Sequence, residues 1–218
     1  MTPAEALREK LEVSVFADDV FGENCYVIRR RDTVAALAVD PGLQLERVRQ
    51  HIESEGLTIE SILVTHGHID HVAGVPLLRE HTGAPIAMHP DDLAILDWET
   101  IAQYPFVPRG FAAFSIDTRL THGMTMAFQD LSLRVLHTPG HTQGSVCFLF
   151  GLDCFAGDTL FQRGIGRTDL PGGDTRKIVF SIQNVLYALP PKTVVYPGHG
   201  PATTIEEEKL LNPFVPGA

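Results

Sequence analysis

The run "SILV" (Ser61 to Val64) leads straight into "THGHIDH" (Thr65 to His71), and "HVAGVPLLRE" follows. The first run reads as a buried strand. The last places apolar side chains at Val72, Val75 and Leu78, the spacing of a helix packed on one face. Four side chains able to bind metal, His66, His68, Asp70 and His71, therefore sit where a strand hands over to a helix. A turn between two regular elements can aim several side chains at one point, which neither a continuous strand nor a continuous helix does at this spacing. Neutral imidazole and carboxylate are standard zinc ligands. Asp70 could also serve as an N-cap for the helix after it, and a carboxylate has oxygens enough for both roles.

The same grammar recurs three times. In "VLHTPGHTQGS" an apolar strand meets a Pro-Gly turn and His141 follows. In "CFAGDTLF" Asp158 ends a strand, and in "TVVYPGHGP" His199 stands between two glycines. Glycine lets the backbone turn tightly and approach closely. There is no G-x-S-x-G, no P-loop and no complete G-x-G-x-x-G, so neither a serine nucleophile nor a nucleotide cradle is indicated.

The bulk properties narrow the class. The chain has 218 residues, 44% hydrophobic and 20% charged, enough for one domain with a substantial core. Net charge is −10 with only four lysines, which argues against a general nucleic-acid binder. No stretch is long and apolar enough for a membrane span, and the N-terminus "MTPAEALREKLEVSV" has no signal-peptide pattern, so a cytoplasmic location is expected. Cys25, Cys147 and Cys154 are odd in number and make no C-x-x-C pair. They read as small buried apolar residues in strands.

The pattern H-x-H-x-D-H, then a distant His, then Asp, then His resembles the metallo-β-lactamase fold superfamily over nearly the whole chain. The resemblance implies an α/β fold, a four-layer αβ/βα sandwich, as a single domain over 1–218. It implies that His66, His68 and His141 hold a first metal, that Asp70, His71 and His199 hold a second, and that Asp158 bridges them. Two divalent ions are expected, zinc first, with iron or manganese acceptable to the same donors. Paired ions sharing a water lower its pKa toward neutrality, so the nucleophile is expected to be a metal-bridging hydroxide, with Asp70 orienting it or taking its proton. His137 reads as a residue supporting the site or the core. Asp40, in "ALAVDPG", reads equally as a turn starter or as an outer partner of a ligand imidazole. His51, His81, His89 and His122 read as structural residues of surface helices or turns.

Within the superfamily, "GDTLFQRGIGRTDLPGGD" (Gly157 to Asp174) resembles the segment after the bridging Asp in glyoxalase II, the hydroxyacylglutathione hydrolases. The ending "GHGPATTIEEEKLLNPFV" resembles their short, single-domain bacterial branch, which lacks the helical C-terminal glutathione-binding domain. The implied function is metal-dependent hydrolysis of a small-molecule thioester by a monomer or homodimer. Arg167 stands where that family often places a lysine for glutathione. Its guanidinium could pair with a substrate carboxylate or tie its own loop through Asp169 or Asp174. The rival reading is a mononuclear iron persulfide dioxygenase, whose "RG-x-GRTD" stretch is close to "RGIGRTD" (Arg163 to Asp169). The aromatic segment from Asp97 to Phe114 reads as a packing cluster.

Strands are expected near Val13, Tyr26, Leu37, Leu63, Ile86, Met126, Leu133, Cys147, Phe155 and Val195. Helices are expected over Leu45–Glu55, His71–His81, Asp92–Leu96, Asp174–Leu189 and Thr204–Leu211.

Overall fold

In the computed structural model, which describes residues 7–109 and 111–217, alternating side chains sort the strands onto two faces. In β2 (Asn24–Arg30), Cys25 and Val27 face one way while Tyr26 and Ile28 face the other, and all four are buried. β3 (Ala35–Val39) repeats this with Ala36 and Ala38 against Leu37 and Val39. In β9 (Val146–Phe150), Phe148 and Phe150 lie opposite Cys147 and Leu149. A strand buried on both faces needs a layer on each side, so these sequences demand a multilayer fold.

The first six-stranded sheet runs β1 (Leu11–Ala17), β2, β3, β4 (Thr58–Leu63), β5 (Ile86–Met88) and β6 (Thr118–Arg119). The second runs β14 (Thr203–Thr204), β13 (Val194–Pro197), β10 (Asp153–Gly157), β9, β8 (Leu131–His137) and β7 (Thr125–Phe128). A two-stranded ribbon, β11 (Leu160–Phe161) and β12 (Gly164–Ile165), follows β10. Tyr26, Leu37, Leu63, Phe128, Phe148 and Phe155 pack between the two large sheets. The outer face of the first sheet is covered by α1 (Leu45–Ser54), α2 (Ile69–Val72) and α3 (Val75–Thr82), through Val48, Ile52, Val72, Val75 and Leu78. The outer face of the second is covered by α5 (Thr175–Ser181), its continuation, and α6 (Ile205–Leu211), through Ile178, Ile182, Leu186 and Ile205. Helices, sheet, sheet, helices is the expected αβ/βα sandwich. The single domain expected over 1–218 includes residues 1–6, 110 and 218, which lie outside the described residues.

All ten expected strands form, and β6, β11, β12 and β14 are additions of two residues each. The helices differ more. The expected helix His71–His81 is two helices, and it begins earlier, at Ile69. The break at Gly74 follows from packing. Its N–H donates to the Pro41 carbonyl at 2.9 Å, and a Cβ there would stand 2.5 Å from the Gly42 carbonyl oxygen. The expected Asp92–Leu96 helix is a short 3-10 segment, Pro90–Ile95. Asp174–Leu189 is α-helical only to Ser181, then widens into a π-type turn over Ile182–Leu186. Leu45–Ser54 and Ile205–Leu211 stand close to expectation, the latter capped by Thr204, whose hydroxyl accepts from Glu207 N–H. α4 (Trp98–Ile101) was not foreseen. Among the described residues, no helix is long and apolar enough to cross a membrane.

β3, β4 and β5 run parallel, as do β10 and β13. Their carboxyl ends open onto one edge of the sandwich. Ligand sites gather at such an edge, because the loops leaving the strands converge there.

Candidate metal centre

His66 and His68 leave the end of β4, and Asp70 and His71 form the first turn of α2, with His68 in the N-cap position. Asp70 therefore lies inside the helix and does not cap it. His141 follows β8, Asp158 follows β10 and His199 follows β13. These seven residues, separated by up to 133 positions, meet at one point. Ligand-type atoms of His66, His68 and His141 lie within 4.8 Å of one another, as do those of Asp70, His71 and His199.

Asp158 stands between the two groups. One carboxylate oxygen is 3.4 Å from His71 Nε2, and the other is 3.4 Å from His141 Nε2 and 3.5 Å from His199 Nε2. The opposite ring nitrogens are held from behind. His71 Nδ1 donates to Asp40 at 3.0 Å, His141 Nδ1 to the Arg167 carbonyl at 2.8 Å and His199 Nδ1 to the Phe21 carbonyl at 3.2 Å. His66 Nδ1 pairs with the Thr65 hydroxyl at 3.0 Å. Each Nε2 is thereby left facing inward, and the Nε2 atoms of His66 and His141 face each other at 3.2 Å. A hydrogen bond on one ring nitrogen fixes which tautomer the other offers to a metal.

Of the two readings of Asp40, the structure shows the outer-partner one. Besides His71, its carboxylate accepts from Thr65 N–H at 2.7 Å and Thr65 Oγ1 at 2.6 Å. Its φ of 50° is a conformation that Asp tolerates better than most side chains. A further carboxylate escaped the sequence reading. Glu23 is fully buried, with one oxygen 3.7 Å from His71 Nδ1 and the other accepting from Gln44, and its backbone bridges to His199. No motif marks it, because it lies in the loop before β2, far from every histidine in sequence.

The electrostatics suit a divalent cation. Burial, with His141 and His71 adding to it, brings His68 down to about 4, so this ring is neutral at physiological pH. Burial also pushes His66 well down, reinforced by His71 and His141. Burial alone would raise Asp70 and Asp158, but the surrounding imidazoles, His71 foremost and His199 with it, together overcome it, and each carboxyl is held below its usual range. His71 and His199 are raised against their burial, His71 chiefly by Asp158 and Asp70, His199 by its bond to Asp70 and by Asp158. Protons on those two rings are what a metal would displace.

Two buried atoms at the centre have no hydrogen-bond partner, His71 Nε2 and Asp158 Oδ1. The two face each other at 3.4 Å, an ion pair without hydrogen-bond geometry; a buried polar atom with no hydrogen bond is costly, and a cation between these two would lower the cost. Gly198 leaves room for this arrangement, since a Cβ there would stand 2.1 Å from Asp158 Oδ1. The donor set fits paired divalent ions.

The centre floors a cavity of about 340 Å³, with Phe21, Ile69 and Leu170 as apolar walls and Arg167 at the rim. The Arg167 guanidinium forks onto Asp169 with two bonds of 2.7 Å, both side chains being exposed. Phe21 also meets Phe106 edge-on, and Phe106 stacks on Tyr104. The segment from Asp97 to Phe114, in which Gly110 lies outside the described residues, thus does two things. Trp98, Phe111 and Phe114 pack on the core, as expected, while Tyr104 and Phe106 edge the cavity through Phe21.

The remaining histidines hold one correction. His89 is buried, not a surface residue, and stacks on half-buried His137 with ring centroids 4.3 Å apart and planes 5° from parallel. With Asp91 they form another cluster of ligand-type atoms. Parallel rings direct their in-plane lone pairs side by side, not to one point, so the stack is a packing unit. A groove of about 550 Å³ behind the His141 loop is lined by His122, His137, Arg176, Lys177 and Phe180, with no carboxylate among its lining residues. It is larger than the metal cavity but gathers no comparable donor set. All three cysteines are buried and free, as expected.

Comparison with known proteins agrees with this geometry. The hydroxyacylglutathione hydrolase GloC of Haemophilus influenzae is 34% identical over 214 residues, covering 94% of this chain and 98% of that one. The crystal structure of BLEG-1 B3 metallo-beta-lactamase matches with a TM-score of 0.85 at 34% identity, covering 94% of this chain and 99% of that one. That of ETHE1 from Myxococcus xanthus matches with a TM-score of 0.79 at 32% identity, covering 93% and 83%. The family model of the metallo-beta-lactamase superfamily matches residues 18–199, from the loop before β2 to the last histidine of the centre, and the chain belongs to that superfamily.

Proposed function

We propose that this chain hydrolyses thioesters of the hydroxyacylglutathione kind. The observation that carries this reading is the likeness to GloC along almost the full length of both chains. His66, His68 and His141 would hold one divalent ion, Asp70, His71 and His199 a second, and Asp158 would bridge them. Zinc is the expected metal, and iron or manganese suits the same donors. When bound, such ions supply a Lewis acid for the carbonyl oxygen and a water acidified toward neutrality.

The chain's own residues supply the rest. Phe21, Ile69 and Leu170 line the approach and keep bulk water from the reacting carbonyl. Asp70 Oδ2, 3.3 Å from His199 Nε2, is ionised at neutral pH and would orient the attacking water or take its proton. The departing thiol has an ordinary pKa of about 8.5, so it leaves as thiolate without a strong general acid. Arg167, at the rim, would meet a carboxylate of the thiol carrier by exchanging it for Asp169.

The test is metal content of protein purified without added metal, paired with an assay on S-lactoylglutathione. About two metals per chain with thioester turnover supports the hydrolase. The iron persulfide dioxygenase is the second reading, favoured by the likeness of "RGIGRTD" to the "RG-x-GRTD" stretch of those enzymes. About one iron per chain, no turnover, and oxygen uptake with glutathione persulfide would replace the first reading with the second. The BLEG-1 likeness makes a β-lactam the necessary third substrate in the same assay.

A further inference from the structure

Besides the seven donors, the Asp92 side chain contacts both loops that carry His66, His68 and His141. Asp92 is completely buried in the 3-10 segment after β5. One of its oxygens accepts from Gly67 N–H at 2.9 Å and from the Thr142 hydroxyl at 2.7 Å. The other accepts from Gly144 N–H at 2.5 Å. Gly67 lies between His66 and His68, and Thr142 follows His141. The first loop leaves a strand of one sheet and the second leaves a strand of the other. We propose that Asp92 is a positioning residue for metal binding, clamping the two loops so that His66, His68 and His141 converge.

Three arguments support the clamp. Two of the three donors are backbone N–H groups, which can only donate, so the residue here must accept on both of its side-chain atoms. Asp does this and Asn does not. Gly144 has no room for a side chain, since a Cβ would stand 2.7 Å from Asp92 Cγ, so this loop is built to approach the carboxylate. A buried carboxylate is also a poor choice for stability alone, because desolvation opposes it and an apolar residue of similar size carries no such cost. What the carboxylate adds is geometry, through short hydrogen bonds to an ionised acceptor.

The inference rests on the ligand assignment above and not on the substrate, so its test is metal binding. Zinc affinity would be measured by chelator competition on the full chain, with absorption spectra of the cobalt-loaded protein reporting ligand geometry. Asp92→Asn replaces one acceptor with a donor and should weaken zinc binding by roughly 10- to 100-fold and alter the cobalt spectrum. Thr142→Val, which removes one of the three donors and suits the case where Asp92→Asn does not fold, should shift both readouts in the same direction by less. Tyr187→Phe removes a buried hydroxyl on the outer face of the second sheet, whose one proton lies between the carbonyls of Val215 at 2.7 Å and Glu208 at 3.0 Å. It should lower stability and leave zinc affinity unchanged, which separates positioning from general loosening.

Unchanged affinity and spectrum in a folded Asp92→Asn, or in Thr142→Val where only that variant folds, would overturn the clamp. So would a loss in Tyr187→Phe as large as in Asp92→Asn. A wild-type chain that binds no zinc would overturn the ligand assignment and the clamp together, whereas one that binds zinc but leaves thioesters intact would refute only the hydrolase reading.

Discussion

Among single residues, Asp158 is the one on which both halves of the centre depend, since its two oxygens face histidines from each. Asp158→Ala, like His66→Ala, should retain the circular dichroism of the fold and reduce turnover by more than the roughly 100-fold that loss of an outer partner costs. A steady-state assay beside a spectrum checks this, and a fully active, metal-free Asp158→Ala protein would sink the mechanism. His89 gives a prediction about acid. Burial, with His137 adding to it, lowers its pKa below the ordinary 6.5. The unfolded chain therefore takes up the proton first as pH falls. Stability contributed by neutral His89 is present above pH 6.5 and declines below it, until the folded form also titrates. His89→Phe keeps a ring on His137 and should flatten the fall in melting temperature between neutral and acid pH. An unchanged slope would count against the argument. The residues differ in how far the sequence exposes them. The seven donors are legible because each ends an apolar strand beside a glycine or within "THGHIDH". Asp92 and Glu23 are not, because their partners are backbone amides, a hydroxyl, an amide side chain and one imidazole brought near only by folding.

At the scale of elements, strands are more legible than helices, for a physical reason. A strand buried on both faces, such as β3, β9 or β10, needs only a run of apolar residues, one buried on a single face, such as β8, needs only alternation, and all ten expected strands pair. Helix limits are set by what the helix meets. In "HVAGVPLLREH" Gly74 and Pro76 hint at a break, and Pro76 indeed falls in the first turn of α3, but the packing that fixes it comes from Pro41 and Gly42, more than 30 residues upstream and packed against Gly74. That contact also aligns α2, and with it Asp70 and His71. Gly74→Ala gains intrinsic helix propensity yet puts a methyl within 2.5 to 2.7 Å of two carbonyl oxygens. We expect the clash to win and the variant to lose about 1–3 kcal/mol, read from urea unfolding. A variant more stable than the parent would mean that the break is only a matter of propensity. The π-type turn after Ser181 is invisible in "SIQNVLYAL". Ile182 and Leu186 are buried on the second sheet there, so the backbone widens where the packing face is kept.

For the whole molecule, the centre is a joint between two sheets. His66, His68, Asp70 and His71 follow β4 of the first, while His141, Asp158 and His199 follow strands of the second. The aromatic layer of Phe128, Phe148, Phe150 and Phe155 holds the sheets together through their middle, but at the open edge the facing groups are imidazoles and carboxylates. There His71 Nε2 and Asp158 Oδ1, both buried, face each other at 3.4 Å with no hydrogen bond satisfying either. A ligand that binds only the folded form stabilises it by RT ln(1 + [L]/Kd), which is about 2.7 kcal/mol at a hundred times Kd. For a chain of this size each kcal/mol moves the melting temperature by about 2–4 °C. Stripping the metal with a chelator should therefore lower the melting temperature by roughly 5–10 °C, and returning excess zinc should restore it. Because a metal held by these donors would join the sheets, the loss should appear first as faster amide exchange in the loops after β4, β8, β10 and β13, with the aromatic layer still protected. A melting temperature indifferent to chelator, with exchange unchanged in those four loops, would mean that the aromatic layer alone holds the sandwich closed.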